Sequence, residues 1–314
     1  MRKEDFKFKG VDNMTLSATI WLPDKETKAM VQIVHGMTEH IGRYEELAEI
    51  LTKEGIAVAG FDLRGHGKSG RDFACASLGE KGWDYTLNEI HQFHELMRER
   101  FGNIKYYLFG FSLGSFLVRE YFSAYDKNDF DGAIIMGTGQ QPGFLLSAIM
   151  WIVKKEIKKV GFDDTTDLVR NISFGTYNKK FSPNRTRADW LCSDIEELDK
   201  YIADDLCKED ISAGLFWQLL DSMKRMSRLS TYKKWNKNMG ILLISGDEDP
   251  VGDGGKGVKL VGMSMKKAGL NYVDINIYTG GRHDILHEKT SGISGNVSQK
   301  IKNWISDNYN VKRV

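Results

Sequence analysis

A chain of 314 residues, 41% hydrophobic and 28% charged, is long enough for one large α/β domain with an insertion and can bury a real core. Lys and Arg number 44 against 43 Asp and Glu, and the net charge of +1 excludes a global field that would draw nucleic acid or a strongly acidic partner. Four prolines and no low-complexity tract exclude long disordered linkers.

From the N-terminus, LSATIWL (16–22) and AMVQIVH (29–35) read as strands, the second apolar enough to be buried on both faces. RYEELAEILTKEG (43–55) puts Leu47, Ile50 and Leu51 at helical spacing and stops at Gly55. IAVAGFD (56–62) reads as a strand, LNEIHQFHELMRERFG (87–102) as a helix, and KYYLFGF (105–111) as a strand. LGSFLVREYFSAY (113–125) follows as a helix and DGAIIMG (131–137) as a strand. Further on, MGILLISG (239–246) and YVDINIY (272–278) are strands around the helix GVKLVGMSMKKAG (257–269), and SGNVSQKIKNWISDNY (294–309) closes as an amphipathic helix. Such alternation predicts an α/β fold with a mostly parallel sheet covered on both faces.

The alternation breaks between about residue 140 and about residue 236, where the sequence reads helical throughout. The expected division is a core of 1–138 and 237–314 with a helical cap at 139–236, inserted where such folds cover their ligand sites.

GFSLG (110–114) matches G-x-S-x-G and lies between an apolar strand and a helix, the context a nucleophile elbow requires. So sharp a bend needs tiny flanking residues and projects Ser112 above the sheet edge. The same turn aims the Leu113 N–H at developing negative charge. A second oxyanion donor is expected in the loop after strand 29–35, where HGMTEH (35–40) offers the backbone N–H of Met37 and Gly36 permits close approach. His35, Glu39 and His40 read as loop-holding residues.

The acid is expected after a later strand. ILLISGDEDPVGD supplies Asp249 just beyond its strand, with Asp247 assigned to the turn. The base comes last: His283, the first histidine past the Gly-Gly turn of TGGRHDILHE (279–288), can take the Ser112 proton while Asp249 fixes its tautomer. His283 and His287 also mimic the spacing of a zinc pair, but Asp replaces Glu, no third ligand follows, and no metal is expected. His287 is expected to point back towards the final helix and hold the loop as it turns helical. DLRGHGKSG (62–70) ends like a phosphate-binding loop, yet Asp62 stands where the first glycine belongs and RDFACASLG lacks the apolar helix, so a hydrogen-bonded loop near the site is expected instead.

Cys75, Cys192 and Cys207 are scattered and odd in number, which fits free thiols in a reducing compartment. The first residues carry no apolar segment of a secretory signal, and the longest dense apolar run, FLLSAIMWIV (144–153), has ten residues, too few to span a bilayer. A cytoplasmic location is the expectation.

HGMTEHIGRYEELAEIL (35–51), FDLRGHGKSG (61–70), GFSLG (110–114), SGDEDP (245–250) and GGRHDILHE (280–288), in this order, resemble the monoacylglycerol lipase and lysophospholipase-like serine hydrolases of the α/β-hydrolase fold. The resemblance covers about 1–138 and 237–314, and the segment between them corresponds to that family's variable cap. It implies hydrolysis of a small lipid-like carboxylic ester through an acyl-enzyme, with no metal or cofactor. By position, Ser112 resembles the nucleophile, His283 the base, Asp249 the acid, and Met37 and Leu113 the oxyanion amides. Two further readings stand beside it: a peptidase or amidase on the same triad, and a non-catalytic binding protein that kept the fold. In the cap, Phe144, Ile149 and Trp151 are the expected substrate-binding residues. The apolar run there, followed by Lys154, Lys155, Lys158 and Lys159, fits either an acyl-chain wall that touches a membrane surface transiently or an ordinary packed helix.

Overall fold

The computed structural model describes residues 1–70, 74–125, 129–208 and 210–309. Eight strands form one sheet: β1 (Arg2–Lys9), β2 (Thr15–Leu22), β3 (Ala29–Val34), β4 (Ile56–Phe61), β5 (Lys105–Phe111), β6 (Gly132–Met136), β7 (Gly240–Gly246) and β8 (Tyr272–Tyr278). Their spatial order is β1-β2-β4-β3-β5-β6-β7-β8. β1 and β2 pair antiparallel, as do β2 and β4, and every pairing from β4 to β8 is parallel. β3 and β4 are buried along their whole length, as strands covered on both faces must be.

The helices are α1 (Glu45–Thr52), α2 (Gly82–Phe101), α3 (Leu113–Ala124), α4 (Gly143–Val160), α5 (Asp167–Arg170), α6 (Thr176–Asn178), α7 (Ile195–Ala203), α8 (Ala213–Met226), α9 (Leu229–Lys233), α10 (Lys256–Lys267) and α11 (Ile293–Tyr309). Leu47 and Leu51 of α1 and Val297, Ile301 and Trp304 of α11 cover one face of the sheet. Ile90 and Phe93 of α2, Leu117 and Tyr121 of α3, and Val258 and Val261 of α10 cover the other. That second core continues into the insertion through Leu146, Val153, Leu215 and Leu219. Helices α7 and α8 start on side-chain caps: Asp194 accepts from the Glu197 N–H at 3.1 Å and Ser212 from Leu215 at 3.0 Å. Among the described residues no helix is long and apolar enough to cross a membrane.

The chain leaves β3 towards β4 on one side, while β5 lies on the other, so the sheet reverses direction of growth at β3. Loops leaving the C-terminal ends of β3 and β5 therefore diverge around a crevice, the place where α/β sheets hold ligands.

Several elements differ from the sequence reading. β1 was not expected, although Phe6 and Phe8 alternate with Lys7 and Lys9 at the period of a half-buried strand, and both rings pack on Phe93. Helix α2 starts at Gly82, five residues before the expected Leu87, because Trp83 and Thr86 are buried and extend its apolar stripe. A 3₁₀ turn, Ile41–Tyr44, precedes the shorter α1. The insertion is not helical throughout: Asn171–Gly175 is a π-helical turn, and residues 182–194 run as loop and turn. Residues 282–292 are also loop and turn, so His283 to His287 do not enter a helix, and α11 begins only at Ile293. The 71–73 part of RDFACASLG lies outside the described residues.

Candidate active site

β5 ends at Phe111 and α3 begins at Leu113, leaving Ser112 alone at the bend with φ +49° and ψ −116°. That left-handed backbone is strained for any residue with a Cβ. Its neighbours must be glycine: a Cβ on Gly114 would lie 1.9 Å from the Val34 carbonyl oxygen, and one on Gly110 would lie 2.4 Å from the Gly114 oxygen. The Ser112 N–H donates to Met136 O at 3.0 Å, pinning the bend to β6.

Ser112 Oγ lies 2.8 Å from His283 Nε2, and His283 Nδ1 lies 2.8 Å from Asp249 Oδ1. Asp249 is held in turn, accepting from the Val251 N–H at 2.9 Å and from Ser245 Oγ at 3.1 Å. A proton on Nδ1, facing buried Asp249, leaves Nε2 as an acceptor for the serine hydroxyl. Asp247 accepts from the Gly280 N–H at 2.8 Å and so fixes the Gly-Gly turn ahead of His283. The acid and base loops meet backbone to backbone, for a Cβ on Gly246 would lie 1.8 Å from the Gly281 oxygen.

Met37 lies in the loop after β3 and lines the space at Ser112. Leu113 is the first residue of α3, where the N–H has no partner within the helix. Around Met37 the loop is tied from three sides. Glu39 accepts from the Gly36 N–H (2.6 Å) and from Tyr44 Oη (2.7 Å), and Thr38 Oγ1 donates to Met37 O (2.6 Å). His35 is buried between the Gly36 carbonyl and the Leu63 N–H, and burial lowers its pKa well below the ordinary range. His40 accepts from the Gly42 N–H and donates to Asp204 at 2.8 Å, linking the loop to the insertion. Asp62 accepts from the Ile41 and Lys68 N–H groups, so the lookalike phosphate loop braces this region.

His287 does not face the final helix. Its Nδ1 lies 2.8 Å from Asp284 Oδ1, and Asp284 Oδ2 accepts from Arg43 Nη2 at 2.8 Å. His283 and His287 are thus committed to different partners and share no metal geometry. Among the described residues, His40, Asp204 and Cys207 bring three donor atoms together, but the hydrogen bonds of His40 already use both of its ring nitrogens. Burial alone would raise the Asp284 carboxyl, but the charges of His287 and Arg43 outweigh it and hold it at about 2. Glu39, on the other side of Arg43, is raised, because burial and the Asp284 charge outweigh the lowering pull of Arg43.

The insertion reaches the catalytic loop through residues 189–194. Asp284 N–H donates to Leu191 O at 2.7 Å, Arg282 to Asp189 O at 2.5 Å, and Thr290 N–H to Asp194 at 2.9 Å. Ser193 donates to Glu288 through both its backbone N–H (3.0 Å) and its hydroxyl. Trp190 packs on the His283 ring at 5.0 Å between centroids, and Phe111 also contacts it at 4.9 Å. The space directly at Ser112 measures about 20 Å³, room for about one water, and a cavity of about 260 Å³ adjoins it.

The expected cap residues do not line either space. Phe144 and Trp151 are 81% and 62% exposed, and Ile149 is half-buried against the core. The walls come instead from Phe174, Trp190, Leu191 and Tyr201. Composition had marked α4 as apolar without saying which face looks inward, and the residues that do line the site sit on irregular backbone with no periodic signal.

The model of one protein family, described as serine aminopeptidase S33, matches residues 25–290. A monoglyceride lipase homolog of monkeypox virus is 27% identical over 297 residues, covering 94% of this chain and 95% of that protein. The monoglyceride lipase of Rattus norvegicus is 24% identical, covering 94% and 88%. Among solved structures, a thermostable carboxyl esterase from Bacillus coagulans in complex with glycerol superposes with a TM-score of 0.88 at 25% identity, covering 98% of this chain and 99% of that one.

Proposed function

The chain belongs to the serine aminopeptidase S33 family, and on that footing we propose a catalytic cycle for it. The protein is a serine ester hydrolase acting on lipid-like substrates. Ser112 Oγ attacks the ester carbonyl as His283 Nε2 takes its proton, and the oxyanion is received by the N–H groups of Met37 and Leu113. His283 then protonates the departing alkoxide. A water, activated by the same nitrogen, releases the acyl group from Ser112. Asp249 holds the tautomer and stabilises the imidazolium. The single observation supporting this reading is the unbroken relay of two 2.8 Å contacts through His283.

The substrate is proposed to be a single-chain ester of the monoacylglycerol or lysophospholipid type. Esters are favoured over amino-terminal peptides because Glu39 and Asp284, the carboxylates at the site, are committed to Arg43 and offer little to a free amine. Residues 139–236 are proposed to act as the cap. Its α4 is proposed to touch lipid surfaces, supported by exposed Phe144, Leu145 and Trp151 ahead of Lys154, Lys155, Lys158 and Lys159. Three unpaired cysteines support a reducing, cytoplasmic setting.

A fluorophosphonate probe tests the cycle: Ser112 is expected to be labelled in the folded protein, and Ser112→Ala to remain unlabelled. p-Nitrophenyl esters are expected to be cleaved and aminoacyl anilides not. Faster turnover of anilides would replace the ester reading by the peptidase one.

A further inference from the structure

We propose that Trp190, together with Phe174, is a specificity-determining partition that sets the acyl-chain length this enzyme accepts, an inference that rests on the ester hydrolase reading. The 20 Å³ space at Ser112 and the adjoining 260 Å³ cavity share five lining residues, Thr38, Phe174, Trp190, Leu191 and Tyr201, so the two spaces meet at these side chains. Two of the five are joined through their side chains and two are tied through their backbones, the Trp190 N–H donating to Asn178 Oδ1 at 3.0 Å. Thr38 and Tyr201 join hydroxyl to hydroxyl at 2.8 Å, and Leu191 accepts from the Asp284 N–H at 2.7 Å.

The side chains of Trp190 and Phe174 are held by ring contacts. The Trp190 ring stacks on Phe174 at 5.4 Å and contacts Tyr177 at 5.2 Å and His283 at 5.0 Å. Phe174 sits on the π-helical turn Asn171–Gly175, a rare backbone form that occurs mostly as single turns and frequently at functional sites. These rings can swing without breaking the strap of backbone hydrogen bonds beneath them.

The larger cavity is walled on its apolar side by Phe174, Ala188, Trp190, Leu191 and Ile202. Room for one water beside Ser112 accommodates a short acyl group at most. A longer chain has to enter the larger cavity, and to do so it displaces the two stacked rings. Trp190 thereby couples chain length to the base, since the ring that must move is the one lying against His283.

The test compares kcat/KM for p-nitrophenyl acetate and p-nitrophenyl decanoate in the full-length protein. Trp190→Ala is expected to raise the decanoate-to-acetate ratio about 10-fold or more, chiefly through a lower KM for decanoate, while Trp190→Phe returns it close to wild type. Phe174→Ala is expected to shift the ratio in the same direction by less. If Trp190→Ala lowers both esters equally, or leaves the ratio unchanged, the ring only props up His283 and the proposal falls. If Trp190→Ala does not fold, the Phe174→Ala ratio decides, a rise supporting the partition and no change overturning it. Acetate hydrolysis by the wild type is the separate control. Its absence would sink the ester reading itself, whereas an unchanged ratio with normal acetate turnover sinks only the partition.

Discussion

Two stretches of the insertion between β6 and β7 behave in opposite ways. Residues 189–194 have almost no regular structure, yet polar bonds from Asp189, Leu191, Ser193 and Asp194 stitch them to the catalytic loop, and they line the site. Helix α4 is regular and apolar, packs on α8, buries Leu146 and Val153 in the core, and turns Phe144 and Trp151 to solvent. The difference teaches that an insertion over a sheet need not be one lid. Here part of it is built into the catalytic loop, and part carries exposed apolar surface at a distance from the chemistry.

The comparison can be calibrated from its catalytic extreme. Asp249→Asn leaves every strap contact intact and is expected to lower kcat about 10⁴-fold, with the urea midpoint little changed. An equal loss in stability would show that acid and strap are one unit, and the contrast would dissolve.

Next in size is the charge cluster beneath the strap. With its carboxyl at about 2 in the fold against an ordinary 3.8, Asp284 contributes about 2 kcal/mol. A folded value below the unfolded one gives stability that is complete above about pH 4 and is lost as pH falls through about 2. Asp284→Asn is therefore expected to cost about 2 kcal/mol at pH 7 and to flatten the stability curve in that acid window, as read by urea denaturation at stepped pH. An unaltered slope would mean that Arg43 and His287 do not govern this carboxylate.

The strap itself comes third. Asp194 caps α7 and accepts from Thr290 through both N–H and hydroxyl, so Asp194→Ala is expected to cost about 1–2 kcal/mol and to lower kcat on short esters by a few-fold. No loss of activity would detach the strap from the catalytic loop. The smallest effect belongs to α4. Phe144→Ser with Trp151→Ser is expected to leave soluble-ester kcat/KM within about 2-fold while weakening co-sedimentation with anionic vesicles. A large loss on soluble esters would put α4 back at the site.

What could be seen in the sequence follows the range of the interactions. The core strands were legible because each is a short apolar run bounded by turn residues. The meeting of Ser112, Asp249 and His283 was legible because each follows a strand whose neighbours fix its height above the sheet. The period-2 signal of Phe6 and Phe8 was present in β1, but six charged residues among its eight obscured it. Other features left no local trace. Arg43 and Asp284 pair across 241 residues, and neither belongs to a pattern that announces the other. Trp190 and Phe174 sit on backbone without a period, so nothing short of the fold reveals that they face the same serine.

The backbone at Ser112 sets stability against activity. A left-handed residue with a side chain costs about 1–3 kcal/mol, and glycine would carry the same turn almost free of strain. Selection for stability alone would let position 112 drift to glycine and silence the protein while improving its fold. Serine at this position therefore trades fold stability for chemistry, and Ser112→Gly is expected to raise the urea midpoint while abolishing ester hydrolysis.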